Sequence, residues 1–354
     1  TTPLQGYNRK RKLENYLAVV ESLTETECKE HFCLLRTVAD QLIDKIEQSG
    51  FIPQHSFGMK PISEKLSILM FLWLMANIEP LRTIADRFDV SISSVFRIIR
   101  RVNAWILTKL DDIITWPQNN RIQTICDQFF FSRGVPKVLG IIDCTHIRIE
   151  KPVTNANDYC NCKKYFSINL QAVVDYRMLF TNVYCGESGS LHDARVLRRS
   201  PLYNAVNENK EALFPENTFI IGDSTYPSLP RFVPPFRDNG HLTPQQTEFN
   251  YIFEFNYILS STRMIVEKIF GLVKARFRRI KFFTKYRHIS FITNVVIAAC
   301  ILHNYCIIKD DIFYFNFDFN NDNNHINEIN DINENINNED VDDRRRQLFN
   351  ELFP

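Results

Sequence analysis

Val138-Leu-Gly-Ile-Ile-Asp-Cys-Thr-His-Ile-Arg-Ile-Glu150 is an apolar run interrupted by the carboxylate of Asp143. Residues 138–142 follow Gly134 and Pro136 and are rich in β-branched side chains, a pattern that favours a central β-strand over a helix. A carboxylate inside a sheet is costly unless a cation or hydrogen-bond donors compensate its lost hydration. Asp143 is therefore the first candidate catalytic residue, with a divalent cation as its natural partner. The alternative is a strand that ends near residue 142, with Asp143 in a turn or cap.

Composition indicates a globular chain without a membrane partner. The 354 residues are 45% hydrophobic and 23% charged, enough for one sizeable domain and a smaller one. The longest unbroken apolar run, near residues 68–76, is too short to span a bilayer, and the N-terminal sequence lacks signal-peptide features. We therefore expect an intracellular protein. The nine cysteines have irregular spacings without a zinc-finger pattern, and they are typical of reduced thiols.

Charge is distributed unevenly along the chain. From Lys309 onward, twelve Asp or Glu residues face four Lys or Arg residues, a net charge of −8. Because the whole chain carries +1, residues 1–308 carry +9. A basic body suits a polyanionic partner such as DNA, although the same residues could simply form a solvated face. Residues 309–354 are predicted to be an acidic, Asn-rich, disordered tail that ends in a short helix.

Residues 1–120 are predicted to form a helical N-terminal domain that contains a helix-turn-helix at 81–105. Its first helix is expected at 81–89 and its second at 93–105, with Ser93 as the N-cap. In the second helix, Arg97, Arg100 and Arg101 would be free to contact phosphates or base edges. An ordinary α-hairpin with solvated arginines is the alternative.

Residues 135–308 are predicted to form an α/β domain with a ribonuclease H-like mixed sheet flanked by helices. Apolar alternation predicts an antiparallel meander of three strands, a helix over 192–205, and a fourth strand over 218–223 that ends at Asp223. If the fourth strand pairs parallel to the first, Asp143 and Asp223 lie beside each other. That adjacency would make them one site.

Two carboxylates seldom hold two Mg²⁺ ions tightly, so a third acid is expected on a later helix. Glu267 is the only acid in the helix predicted over 261–280, and a salt-bridged surface residue is its alternative role. It lies about 160° around the helix from Ile265 and Ile269, which predicts a helix packed on two sides, with Phe270 and Met264 toward the sheet. The cations of this helix that we expect to contact DNA are Arg263, Lys274, Arg276, Arg278 and Arg279.

Four ordered motifs resemble those of the PIF/Harbinger superfamily of DDE transposases and the nucleases derived from them. They are Gly140-Ile-Ile-Asp-Cys-Thr-His-Ile147, Gly189-Ser-Leu-His-Asp-Ala-Arg-Val196, Gly222-Asp-Ser-Thr-Tyr-Pro227 and Val266-Glu-Lys-Ile-Phe-Gly271. The resemblance covers residues 63–304. Cys144 and Thr225 stand where glycine is frequent in the family, and Lys268 stands where arginine is usual.

The resemblance implies a catalytic and metal-binding triad of Asp143, Asp223 and Glu267 that uses Mg²⁺ or Mn²⁺. It further implies a nuclear transposase or endonuclease acting on double-stranded DNA, with a Myb/SANT-type DNA-binding partner and a homodimer as a further expectation. Two other functions remain open: a domesticated DNA-binding adaptor that does not cleave, and a ribonuclease for structured RNA. His192 and Asp193 match an accessory motif, where Asp193 could either cap a helix or serve the active site.

Overall fold

We describe the protein from a computed structural model, which covers residues 16–53, 61–236, 240–250, 260–281, 288–311 and 343–352. A five-stranded mixed sheet lies at its centre, and helices flank the sheet. The strands are β1 (Val138–Arg148), β2 (Ser167–Val174), β3 (Phe180–Ser188), β4 (Phe219–Ile221) and β5 (Phe232–Val233).

The sheet has the order β3-β2-β1-β4-β5, so β1 is the central strand. β1, β2 and β3 form an antiparallel meander, whereas β4 pairs parallel to β1 and β5 pairs parallel to β4. These pairings confirm the predicted meander and the predicted parallel placement of the fourth strand. They are also consistent with a ribonuclease H-like DDE fold.

β1 continues through Asp143 as far as Arg148, and its pairing with β2 runs without interruption from Ile141 to Arg148. The alternative in which the strand ends near residue 142 is therefore wrong. The backbone of Asp143 is held inside the ladder opposite Ala172. The acid thus has a fixed position on the central strand.

The helices before the sheet are α1 (Tyr16–Ser22), α2 (Glu25–Phe32), α3 (Arg36–Ser49), α4 (Glu64–Ala76), α5 (Leu81–Arg87), α6 (Ile92–Leu107), α7 (Leu110–Ile113) and α8 (Asn120–Arg133). The later helices are α9 (Asp193–Arg199), α10 (Pro201–Glu208), α11 (Lys210–Leu213), α12 (Pro244–Asn250), α13 (Ser260–Arg276), α14 (Arg278–Lys281), α15 (Ile289–Ile308) and α16 (Asp343–Leu352). The helix predicted over 192–205 is divided at Ser200, which caps α10 before the proline at its first position.

The hairpin of α5 and α6 differs from the prediction at its cap. Ser91 rather than Ser93 is the N-cap of α6, because its hydroxyl accepts a hydrogen bond from the backbone N–H of Ser94 at 3.0 Å. The face of α6 that was expected to pack inward is buried, namely Val95, Ile98, Ile99 and Val102. Two helices are present at the predicted place, and a DNA-reading role for them stays a prediction.

α15 is the most apolar long helix of the described residues. By length and composition it could cross a membrane, which the shorter apolar run near 68–76 could not. However, 72% of its apolar window is buried inside the structure, where it packs in the continuous core that joins the sheet to the N-terminal helices. That burial is typical of a core helix.

The predicted tail contains residues that belong to the folded body. Asp311 is fully buried, forms ion pairs with Lys29 at 2.9 Å and Arg276 at 3.4 Å, and accepts a hydrogen bond from the backbone of Leu35. Residues 312–342, which carry most of the predicted disordered tail, lie outside the described residues. In α16, the ring of Phe349 packs edge-on against Phe236 with the ring centroids 5.7 Å apart.

Burial of His303 on α15 should make stability depend on pH. Its Nε2 lies 3.2 Å from the backbone oxygen of Met178, and burial, with a smaller contribution from the charge of Arg276, lowers the pKa of His303 to about 3. Between about pH 3 and pH 6.5, therefore, this histidine is protonated in the unfolded chain and neutral in the folded protein. Stability from this residue is present above about pH 6.5 and is lost as pH falls below that value.

We expect His303→Gln to remove this dependence. Between pH 7 and pH 5, wild type should lose up to about 2 kcal/mol more unfolding free energy than the variant, measured by urea denaturation at both pH values. The exposed His288 provides the matched control, His288→Gln, which should behave as wild type. Parallel pH profiles for wild type and His303→Gln would contradict the assignment.

Candidate active site

The two predicted aspartates come together at the edge where β4 ends. Ile141 of β1 is paired with Ile221 of β4. Asp143 and Asp223 each follow two residues after this pair, one on each strand. β4 ends at Ile221, while β1 continues for seven more residues. Asp143 and Asp223 offer carboxylate oxygens within 4.8 Å of each other, as their predicted adjacency requires.

A third carboxylate in this group belongs to Asp193. Its oxygen lies within 4.8 Å of the ligand atoms of Asp143 and Asp223, and all three residues are half-buried. Asp193 is the first residue of α9, whereas the N-cap position is held by the exposed His192, whose side chain makes no capping hydrogen bond. The side chain of Asp193 thus faces the acid cluster, which favours the active-site alternative over the capping alternative.

The pKa of Asp193 is raised in this group of carboxylates. Burial, followed by the nearby charge of Asp223, raises the pKa of Asp193 to about 6. Hydrogen bonds from Thr225 and Cys144 oppose that rise, with the Thr225 hydroxyl donating to Asp193 Oδ2 at 3.2 Å. A carboxyl that is costly to ionise beside two others is a typical place for a cation.

Asp223 is held by the turn that follows it. Its Oδ1 accepts a hydrogen bond from the backbone N–H of Thr225 at 3.0 Å, and the Thr225 hydroxyl, which has one hydrogen to donate, lies within hydrogen-bonding distance of both this oxygen and Asp193 Oδ2. Thr225 therefore connects Asp223 to Asp193 with a single side chain. Since glycine is frequent at this place in the resembled family, the hydroxyl is an addition that this sequence makes to its own site.

Cys144 and Tyr226 lie under the acid cluster. The hydroxyl of Tyr226 donates to Cys144 Sγ at 3.4 Å, and Gly222 leaves room for this ring, because a Cβ there would lie 2.8 Å from Tyr226 Cδ2. Burial raises the pKa of the Cys144 thiol and of the Tyr226 phenol well above their usual values. Both groups stay neutral, so the ligands that the cluster offers a cation are carboxylate oxygens.

Lys274 joins helix α13 to the central strand. Its Nζ donates to the Thr145 hydroxyl at 2.6 Å and to the His146 backbone oxygen at 3.0 Å. Burial, followed by the charge of Lys281, lowers the pKa of Lys274 to about 8, while Asp143 opposes the shift. Lys274 was predicted to contact DNA. In the structure its Nζ is hydrogen-bonded within the protein, to Thr145, which is two residues after Asp143, and to His146.

Glu267 lies on α13 but outside the group of three carboxylates, and its side chain is exposed. It precedes Lys274 by seven residues, so the two side chains lie about 20° apart on the same helical face. Lys274 reaches Thr145, which shares a face of β1 with Asp143 because strand side chains alternate. Glu267 thus lies on the same side of α13 as Lys274, while its own side chain is exposed. Its role as a metal-binding catalytic acid stays a prediction.

Packing of α13 follows the predicted arrangement on both sides. Phe270, on the second face, is buried with its ring centroid 6.4 Å from that of Phe180 at the start of β3. Ile269 and Val273, on the aliphatic stripe, are fully buried. The helix is thus sandwiched, and the side chains before Val266 lie outside the described residues, including that of Arg263.

The remaining basic residues that were predicted to contact DNA are exposed in one group and buried in the other. Arg97, Arg100 and Arg101 on α6 and Arg278 on α14 are exposed, and their contact with DNA stays a prediction.

For Arg276 and Arg279 the prediction is wrong, because both are buried. Arg276 pairs with Asp311, and Arg279 donates to the backbone oxygens of Leu74 and Glu79. A run of basic residues in sequence does not reveal which of them turn inward, and here two of them fasten α13 and α14 to the helical body.

Comparison with known proteins agrees with this geometry. Residues 142–304 match the family described as "DDE superfamily endonuclease", an interval that contains Asp143, Asp193, Asp223 and Glu267. Residues 142–304 are therefore similar to a DDE superfamily endonuclease domain. No solved structure matches the chain.

The chain is similar to proteins named HARBI1 and ALP1-like, which confirms the resemblance drawn from the four motifs. The human protein named "Putative nuclease HARBI1" is 26% identical over 249 residues, covering 69% of this chain and 68% of the relative. An Arabidopsis thaliana protein named "Protein ALP1-like" is 29% identical over 262 residues, covering 71% of this chain and 62% of the relative. The chain thus aligns with about two thirds of each relative.

The contacts of Lys274 predict a stability effect specific to that residue. Lys274→Met leaves the Thr145 hydroxyl and the His146 carbonyl without their donor, and the unfolding free energy should fall by about 1–3 kcal/mol in denaturant titration. Lys268, exposed on the same helix, provides the control: Lys268→Met should change stability by less than about 0.5 kcal/mol. Equal effects of the two substitutions would show that the hydrogen bonds between Lys274 and β1 do not contribute to the unfolding free energy.

Proposed function

We propose that this chain is a metal-dependent DNA endonuclease that cuts phosphodiester bonds at transposon ends and joins the resulting 3′-hydroxyls to target DNA. The observation that carries the proposal is the meeting of Asp143, Asp193 and Asp223 within 4.8 Å, at the edge of a mixed sheet inside the region similar to a DDE superfamily endonuclease domain. The basic body of residues 1–308 supports a polyanionic substrate.

The donor set of the cluster suits a hard divalent cation. Carboxylate oxygens are the ligands that Mg²⁺ and Mn²⁺ prefer, and the thiol next to them is held neutral by burial. Burial, followed by repulsion from Asp223, raises the pKa of Asp193, and a cation beside the two carboxylates would relieve that repulsion. The residues present therefore fit Mg²⁺ or Mn²⁺: Asp143 and Asp223 would hold one cation, and Asp143 and Glu267 would hold the second.

Two such cations, when bound, lower the pKa of an attacking water and neutralise charge on the leaving oxygen. The chain's own residues supply position. Thr225 fixes the carboxylate of Asp223, and the β1 ladder fixes Asp143. Lys274 joins α13 to Thr145, which is on the same face of β1 as Asp143, and the proposed role of Glu267 requires its carboxylate to reach this face. Attack by a 3′-hydroxyl instead of water would use the same arrangement for strand joining.

The wider biology belongs to the same proposal. Access to the nucleus, where transposon ends and target sites are found, follows from a DNA substrate. Help from a Myb/SANT-type DNA-binding protein follows from the resemblance. The exposed arginines of α6 are proposed to contact duplex phosphates, and a homodimer would hold two DNA ends at once.

A DNA-binding adaptor that does not cleave is the second candidate function. It is favoured by one observation, that Glu267 lies outside the group of three acids. An adaptor would keep DNA affinity through the basic body without metal-dependent nicking. Cleavage assays separate the two candidates directly.

Metal-dependent nicking of plasmid DNA is the primary test. Wild type should nick with Mg²⁺ or Mn²⁺ and stop when EDTA removes the cation, and Asp143→Asn should lower the rate by orders of magnitude. DNA affinity of Asp143→Asn should stay near normal or improve, because the substitution removes one negative charge. The exposed Asp112 on α7 provides the control Asp112→Asn, which should nick as wild type. Full cleavage by Asp143→Asn, or nicking in EDTA, would contradict the proposal.

A second assay identifies the acid that completes the site. Glu267→Gln should lower the nicking rate by orders of magnitude while the thermal unfolding midpoint stays within a few degrees of wild type. The matched control, Glu248→Gln on α12, changes an exposed acid and should stay within a few-fold of wild type. If Asp193→Asn is inactive and Glu267→Gln is active, the triad is Asp143, Asp193 and Asp223, and the assignment of Glu267 is wrong.

A further inference from the structure

We propose that the surface formed by His146, Arg148, Lys163, Lys164 and Tyr165, named the β1 track, binds an unpaired stretch of DNA next to the bond that is cut. The inference rests on the proposed DNA-cleaving function and deepens it. It names the form of DNA that the site accepts on one side: a strand whose bases are not paired.

The β1 track meets the acid cluster at Asp193 and lies on the face of β1 opposite to that of Asp143. Side chains of a strand alternate between its two faces, so Cys144, His146 and Arg148 share one face of β1. Cys144 contacts the carboxyl of Asp193, which places the first of these positions directly beside the cluster. Each later position on this face lies about 6.6 Å further along the strand.

Aromatic and planar groups follow one another along this face. The ring of His146 meets Tyr165 edge-on, with the centroids 6.3 Å apart and the planes at 83°. The guanidinium of Arg148 lies over the Tyr165 ring, 5.6 Å from its centroid. Tyrosine rings and guanidinium planes are the groups on which unpaired bases stack. Paired bases in a duplex keep their faces covered, so this chemistry favours a single strand.

Cations accompany the aromatic groups. Arg148, Lys163 and Lys164 are all exposed; the guanidinium of Arg148 lies over the Tyr165 ring, and Lys163 and Lys164 directly precede Tyr165 in the chain. A positively charged groove that carries stacking rings is the usual combination for binding single-stranded DNA.

The β1 track is held rigid by a buried polar network. The tight turn that carries Lys163 and Lys164 is closed at Asn161, whose buried side chain donates to the Ser167 hydroxyl at 3.0 Å and accepts from the Tyr165 backbone at 3.2 Å. The same Ser167 hydroxyl lies 3.2 Å from His146 Nδ1. The turn, β2 and β1 are thus joined, and the surface needs little reordering to bind a strand.

Fluorescence anisotropy in EDTA with the full chain tests the proposal without cleavage. The two probes are a labelled duplex and the same duplex with a single-stranded 3′ overhang. Wild type should prefer the overhang probe, and Tyr165→Leu should reduce affinity for that probe by about 5- to 100-fold, the effect expected for one stacked base. Duplex affinity should stay within about twofold. Tyr165→Phe, which keeps the ring, should retain the preference.

Charge is tested with Lys163→Gln combined with Lys164→Gln. On the overhang probe, the slope of log affinity against log salt should flatten by about 0.7 for each phosphate that the protein no longer neutralises. The matched control is Lys137→Gln combined with Arg177→Gln, two exposed cations at the opposite end of the sheet, and it should keep the wild-type slope. A thermal unfolding midpoint close to wild type shows that each variant is folded.

Two results would overturn the β1 track. One is equal affinity of wild type for both probes, and the other is an unchanged preference in Tyr165→Leu. Nicking measured separately with Mg²⁺ distinguishes this failure from failure of the proposed function. A protein that nicks without preferring the overhang retains its endonuclease function and loses the β1 track. A protein that prefers the overhang without nicking retains the β1 track and loses the endonuclease function.

Discussion

Parallel pairing of β4 with β1 is the constraint on which the site depends. It aligns the end of β4 with the middle of β1, and the last pair between the two strands, Ile141 with Ile221, lies two residues before an aspartate in each. Because β1 is also locked to β2 on its other side, Asp143 cannot move away from Asp223 without breaking the central ladder. The fold therefore forces negative charges together that would separate in water.

Holding these carboxylates close together is unfavourable because they repel each other, and the surrounding residues partly offset this repulsion. Thr225 donates to two of the carboxylates, and the carboxyl of Asp193 is made harder to ionise. Lys274 brings a buried cation near Asp143 while its own hydrogen bonds are satisfied by β1. Such a site is poised for a cation rather than optimised for stability, as is common where function and folding make opposing demands.

Much of this arrangement could be predicted from the sequence because it follows from strand periodicity and order. The meander, the parallel fourth strand and the adjacency of Asp143 to Asp223 are of that kind. Asp193 was harder, because an acid at the start of a helix fits a capping role equally well until its side-chain direction is known. The two-residue strand β5 was not predicted, since such a short pairing leaves no periodicity.

Burial of individual cations could not be predicted for a different reason. Arg276 and Arg279 belong to a basic run that looks like a surface, yet each finds buried acceptors contributed by distant segments. Asp311 is the clearest case: it follows the last core helix, in a stretch whose composition predicts disorder, and it is fixed by Lys29 and Arg276. Because these partners are distant in sequence, no local sequence pattern indicates that the charged residues are buried.

The most direct test of the central claim, that the acid cluster is a metal centre, is an anomalous-scattering map from crystals of the full chain grown with Mn²⁺. Bound manganese scatters anomalously, so its position is read without assumptions about activity. The account predicts a peak about 2 Å from carboxylate oxygens of both Asp143 and Asp223. Ordered manganese elsewhere, with these two carboxylates free of it, would contradict the account.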